Sequence, residues 1–72
     1  MADIKAHITG TVWKIEVAVG DTIDEDAVVM ILESMKMEMP VESSWSGRIT
    51  EILVKEGQAV AENQVLATIE PD

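Results

Sequence analysis

The chain has 72 residues, no cysteine and a net charge of −9, and 47% of it is hydrophobic. That length carries one core and excludes a multidomain enzyme, while the missing cysteine excludes disulfides, thiol nucleophiles and thiolate metal sites. The surplus of carboxylates repels phosphate backbones and anionic headgroups, so neither nucleic acid nor a membrane surface is an expected partner. Acidic residues are spread from Asp3 to Asp72 among apolar ones, as on a solvated globular surface. Residues 1–10 show neither a basic leader nor a long apolar run, so the chain reads as cytoplasmic.

In chain order, the first short alternation is Ile4, Ala6, Ile8, which leaves His7 on the exposed face of a strand. A turn at Thr9-Gly10 precedes a second alternating run through Val12, Ile15 and Val17. Trp13, within it, is expected with Trp45 to cover the edges of a thin core, an exposed Trp13 being instead a docking surface. Turn chemistry follows at Val19-Gly20-Asp21 and again at Asp24-Glu25-Asp26, with Gly20 supplying positive φ. Ala27 to Leu32 is continuously apolar and rich in β-branched residues, which predicts a central core strand. Val41, Ser43 and Trp45 then begin the same series again, through Ser46-Gly47, the run Ile49, Ile52 and Val54, the turns Glu56-Gly57-Gln58 and Glu62-Asn63-Gln64, and a last apolar strand at Val65 to Ile69.

The recurrence is an internal repeat. A shift of 37 positions aligns residues 4–33 with 41–70 without a gap, and makes identities of Gly10/Gly47, Ile15/Ile52, Val17/Val54, Gly20/Gly57, Glu25/Glu62, Val28/Val65 and Glu33/Glu70. Val28 and Val65 are accordingly expected at matching core positions. Each half supplies about four short strands and cannot bury its apolar face alone. Packing the halves about a pseudo-twofold axis predicts an all-β flattened sandwich of two small antiparallel sheets, about eight strands in all, forming one domain over residues 1–72. The connecting segment 34–40 should then be a hairpin at the opposite end of the molecule from both termini.

That hairpin breaks a local rule. Ser34-Met35-Lys36-Met37 must reverse the chain, yet it holds none of the Gly, Asn, Asp or Pro that tight reversals prefer. A broken local rule marks a candidate functional site. The alternation of Met35, Met37, Met39 and Val41 with Lys36, Glu38 and Glu42 is also that of an ordinary half-buried strand, and pattern alone leaves both readings open.

The run Glu33-Ser34-Met35-Lys36-Met37-Glu38 resembles the Met-Lys-Met attachment motif of biotinyl domains, and the repeat around it resembles the biotinyl/lipoyl carrier fold, a barrel-sandwich hybrid, over essentially the whole chain. Gly10-Thr11-Val12-Trp13-Lys14 and the proline after the Met-Lys-Met run are similar to small stand-alone biotin/lipoyl attachment proteins. The resemblance implies a biotin carboxyl carrier that catalyses nothing itself. A biotin protein ligase would join biotin covalently to Lys36, and the biotin would carry CO2 between a biotin carboxylase and a carboxyltransferase. Met35, Met37 and Glu33 would serve ligase recognition, and the isolated domain would be a monomer. The chain departs from parts of the family. Between Val17 and Ile23 there is no room for the protruding thumb of bacterial acetyl-CoA carboxylase carriers, and Ile8-Thr9-Gly10 stands where Met-Pro-Gly is frequent, so the resemblance does not identify the carboxylase.

Two rivals remain at this level. A lipoyl carrier would place lipoate on Lys36, although lipoyl domains usually carry Asp where Met35 stands, and dual biotin and lipoate attachment is open. A Cu(I) binder would use the thioethers of Met35, Met37 and Met39, without any Cys or nearby His to help. No catalytic site and no metal site is expected: the single histidine, His7, has no nucleophile and base arranged around it.

Overall fold

A computed structural model describes Met1–Asp72 and contains eight strands and no helix. They are β1 (Ala2–Lys5), β2 (Gly10–Ile15), β3 (Thr22–Ile23), β4 (Val28–Ser34), β5 (Met37–Glu42), β6 (Gly47–Ile52), β7 (Ala59–Val60) and β8 (Val65–Pro71). One sheet has the order β1-β8-β6-β3 and the other β5-β4-β2-β7, with every pairing antiparallel. Adding 37 to a residue number carries β1–β4 onto β5–β8, so the second order is the first rewritten for the other half. The all-β sandwich of two four-stranded sheets therefore has the expected pseudo-twofold, realised by exchange of strands. Each half supplies the two inner strands of one sheet and the two outer strands of the other.

The repeat extends to irregularities. Register shifts fall between Val12 and Lys14 in β2 and between Ile49 and Glu51 in β6, so Trp13 and Thr50 are equivalent bulge residues. A second pair of shifts skips Leu66 opposite Ile4 and Lys5, and Val29 opposite Val41 and Glu42. The turns agree as well. Asp21 accepts the Ala18 N–H at 2.9 Å and Gln58 accepts the Lys55 N–H at 3.1 Å, while Gly20 and Gly57 adopt φ of 95° and 90°. Asp26 and Asn63 take the left-handed conformation (φ 70° and 72°), which short amide and carboxyl side chains tolerate better than most.

A single cluster of buried side chains fills the space between the sheets, with Val12, Val29, Met30, Leu32, Ile49, Leu66, Ala67 and Ile69 completely enclosed. Val28 and Val65 do not take the core positions expected of them. The bulges beside them turn Val29 and Leu66 inward instead, leaving Val28 38% exposed and Val65 half-buried. Gly10 does not sit in a turn either: it opens β2, where a Cβ would stand 2.5 Å from the Glu33 carbonyl oxygen. Trp13 and Trp45 do not cover core edges; both are exposed, Trp13 by 48% because the bulge turns it outward beside Lys14. His7 is exposed as expected but lies in a bend after β1 has ended.

The hairpin of β4 and β5 lies far from the chain ends. Ser43 exchanges backbone hydrogen bonds with the foot of β4 (Ser43 N–H to Ala27 O, Asp26 N–H to Ser43 O), and three residues later Ser46 O accepts the Asp72 N–H. The foot of β4 is thus beside the C-terminus, where Ala2 also pairs with Ile69. From that foot β4 runs seven residues, about 20 Å, toward the far end of a molecule 35 Å long.

Candidate functional site

At that far end Ser34 and Met37 face each other as the closing pair of the hairpin, and Met35 and Lys36 alone make the connection. Their φ values are 50° and 67°. Positive φ at both central residues is the signature of a type I′ turn, which matches the right-handed twist of the strands and is normally supplied by Asn-Gly. An L-residue pays about 1–2 kcal/mol for the left-handed conformation. Two consecutive side chains without local hydrogen-bonding groups accept it here, so the sequence at this turn is not chosen for folding.

The turn pushes its side chains outward. Met35 is 92% exposed and Met37 61%, and Lys36 is exposed between them. The fold contains two ion pairs, Lys14–Glu16 at 3.9 Å and Arg48–Glu70 at 3.7 Å, so the Lys36 ammonium is held by no carboxylate. Met39 behaves differently: it sits opposite Leu32 and is half-buried, which separates its environment from that of Met35 and Met37 at the tip. One row below the turn, Glu33 and Glu38 lie directly opposite each other and are both exposed. The hairpin therefore brings Glu33, Met35, Lys36 and Met37 to one end of the molecule, within reach of a single partner.

The support beneath the tip is closely packed and hydrogen-bonded. The contact between Gly10 and Glu33 brings the start of β2 against the end of β4. Thr11 pairs with Glu33 and Val12 with Leu32. Glu56 then accepts the Ile15 N–H at 3.0 Å, and Gly57 donates to Val12 O, which pins both sides of the Trp13 bulge. The sequence pattern places Gly10 in one turn and Glu56 in another, and shows neither the approach of Gly10 to Glu33 nor the bond from Ile15 to Glu56. The signal for Gly10 was its repeat equivalence to Gly47, whose Cβ would likewise run into the Glu70 carbonyl oxygen.

An amine on a narrow, water-exposed turn, without a counterion and far from the core, is suited to covalent modification by an enzyme that must surround it. Nothing around it forms a pocket for a free ligand; the two surface depressions lie toward the other end, against β1 and the segment around Glu42 and Ser44. Comparison with known proteins agrees with this geometry. Residues 1–69 match the biotin/lipoyl family model, described as "Biotin-requiring enzyme". A biotin/lipoyl attachment protein of Bacillus subtilis is 43% identical over 63 residues, which cover 88% of this chain and 86% of that protein. A biotin carboxyl carrier protein of Streptococcus mutans is 42% identical over 89% of this chain and 49% of its own length. Among solved structures, the urea carboxylase of Kluyveromyces lactis superposes with a TM-score of 0.90 and 36% identity, over 96% of this chain and 6% of that one. A match over nearly all of its length, with the repeat and hairpin described above, places the chain in the biotin/lipoyl attachment family.

Proposed function

We propose that this protein is a biotin carboxyl carrier whose acceptor is Lys36. The observation that carries the reading is the strained two-residue turn that presents Lys36 Nζ, exposed and free of any ion pair, between two exposed methionines. A biotin protein ligase takes a proton from the Lys36 ammonium to free the nitrogen lone pair. The nitrogen then attacks the activated carboxyl of biotin, expels its leaving group and gives up a second proton as the amide forms. Met35 and Met37 offer the ligase flexible, polarizable contacts, and Glu33 an exposed carboxylate one row below.

Once attached, biotin supplies a ureido nitrogen that can hold CO2 between a biotin carboxylase and a carboxyltransferase. The protein's own part is mechanical. Lysine stem, amide and valeryl chain comprise roughly ten bonds, so the ring reaches on the order of 10 Å beyond the turn. A stiff sandwich behind the arm keeps it at high local concentration at each docked active site. No residue at the tip is arranged as a nucleophile with a base, and the carrier is non-catalytic in this reading. Lipoate is a second possible load, favoured by the B. subtilis relative's description as a biotin/lipoyl attachment protein.

Intact-mass measurement and peptide mapping of protein purified from its own cells test the proposal. Biotin is expected on Lys36 and not on Lys5, Lys14 or Lys55, with the net charge moving from −9 to −10 and an acidic shift on isoelectric focusing. Lys36→Arg protein that still binds avidin would refute it.

A further inference from the structure

The internal repeat provides its own control. Two residues related by the pseudo-twofold share the same backbone setting, so a difference between them reflects something other than the fold. The outer faces of the two sheets differ in this way. Across the outer face of the hairpin sheet, Pro40 lies opposite Ile31, Ile31 opposite Lys14, and the bulge places Trp13 next to Lys14. Trp13 and Pro40 are exposed, and Ile31 is half-buried without packing on the core. The equivalent row on the other sheet is Asp3, Thr68 and Thr50, whose two hydroxyls hydrogen-bond to each other at 2.6 Å. The fold thus accepts a wholly polar row at these positions, with Glu51 in the place of Lys14, yet the hairpin sheet carries three apolar side chains there beside the single Lys14.

Charge differs across the same symmetry. On the second sheet Glu70 is answered by Arg48 on the neighbouring strand, at 3.7 Å. On the hairpin sheet the equivalent of Arg48 is Thr11, so Glu33 faces a threonine on one side and another carboxylate, Glu38, on the other. Directly opposed like charges destabilise a sheet. Glu42 closes the apolar row from below, opposite Val28. The row is therefore bounded along the sheet by carboxylates that have no cation of their own.

We infer that the outer face of the hairpin sheet, centred on Trp13, Ile31 and Pro40, is the surface by which the carrier docks on a biotin carboxylase, through a complementary apolar patch edged with lysines or arginines. The inference rests on the reading of Lys36 as the biotin acceptor. Ser34 follows Ile31 by three steps along β4, about 10 Å, so a partner seated on this face has the turn and its arm at the border of the contact. Hydrogen bonds from Ile15 N–H to Glu56 and from Gly57 N–H to Val12 O fix the backbone on both sides of Trp13 before docking, which lowers the entropy lost on binding.

The test replaces the apolar row by its symmetry equivalents, Trp13→Thr, Ile31→Thr and Pro40→Asp together, and separately reverses one charge with Glu38→Lys. Binding to immobilised, purified biotin carboxylase of the source organism is measured in a Lys36→Arg background, so that no biotin contributes, at low and at high salt. Parallel proteins retaining Lys36 are biotinylated with the purified ligase. The expected result is at least tenfold weaker binding for the triple variant, weaker binding for Glu38→Lys, loss of wild-type affinity with salt, and native-like melting with normal biotinylation of both variants. Unchanged or undetectable wild-type affinity in the triple-variant comparison overturns the inference. So does loss of biotinylation with carboxylase binding intact, which would assign the face to the ligase. A wild-type dimer that the triple variant converts to monomer would assign it to a second copy and also overturn it. Wild-type protein that takes no biotin at Lys36 is a distinct result, refuting the acceptor reading itself.

Discussion

Gly10 lies so close to the backbone of Glu33 that a Cβ added to it would stand 2.5 Å from the Glu33 carbonyl oxygen and 3.3 Å from Ser34 Cβ. The obstructing atom is main chain and cannot rotate away. Gly10→Ala must separate β2 from the end of β4, directly beneath the turn. A cost of about 2 kcal/mol is expected, within the range for forced overpacking. In a domain of this size it lowers Tm by roughly 10 °C. Thermal melts followed by circular dichroism check it.

The turn itself stores strain that one substitution releases. Lys36 holds φ at 67°, a conformation glycine adopts freely. Lys36→Gly should stabilise the protein by about 0.5–1 kcal/mol, after allowing for the greater freedom of glycine in the unfolded chain, while abolishing modification. Lys36→Ala keeps the strain, removes no core volume and should leave Tm nearly unchanged. Denaturant melts beside an avidin blot measure both effects. Strong destabilisation by Lys36→Ala would give the lysine a structural role.

The bulges predict which of two adjacent valines matters. Val29 is completely buried and Val28 faces outward, and the same holds for Leu66 beside half-buried Val65. Leu66→Ala is expected to cost about 2–5 kcal/mol and Val29→Ala about 1–3 kcal/mol. Val28→Ala should stay within about 0.5 kcal/mol. Urea titrations of the variants rank them, and equal losses at positions 28 and 29 would contradict the register described for β4.

Choice of cargo should depend on the residue before the lysine. Met35→Asp places a carboxylate where lipoyl carriers usually have one, and the 92% exposure of Met35 leaves room for it without disturbing the core. Relative to the parent, the variant should be biotinylated more slowly and lipoylated faster by the two purified ligases at equal concentrations. An unchanged ratio would locate discrimination elsewhere on the hairpin.

The strands were legible because alternation and turn chemistry agree in each half, and because the repeat lets a clear segment identify an ambiguous one. The segment 27–32 reads as strand on its β-branched content and its mate, and β4 takes all of it except Ala27. The exchange of strands between sheets was not legible, since a repeat establishes equivalence without specifying which half pairs with which. Nor were the bulges: an extra residue in a strand leaves no trace in composition, so Val28 was exchanged with Val29 and Trp13 was turned the wrong way. At the site, Lys36 stood out because its surroundings violate turn preferences. The backbone approach at Gly10 stayed hidden because a glycine beside threonine looks like any other turn.

Strand exchange also ties the presentation of Lys36 to the folding of both halves together. Neither half can assemble a finished layer: β4, which carries the turn, needs β5 at its side from residues 37–42 and the enclosed side chains of β6 and β8 behind it. A chain halted on the ribosome, or cleaved, before Leu66 lacks an inner strand of the opposite sheet, and is expected to hold Met35-Lys36-Met37 on a segment without a fixed bend. A ligase that reads the bend, and not merely the tripeptide, would pass over such fragments and spend its ATP on finished molecules alone.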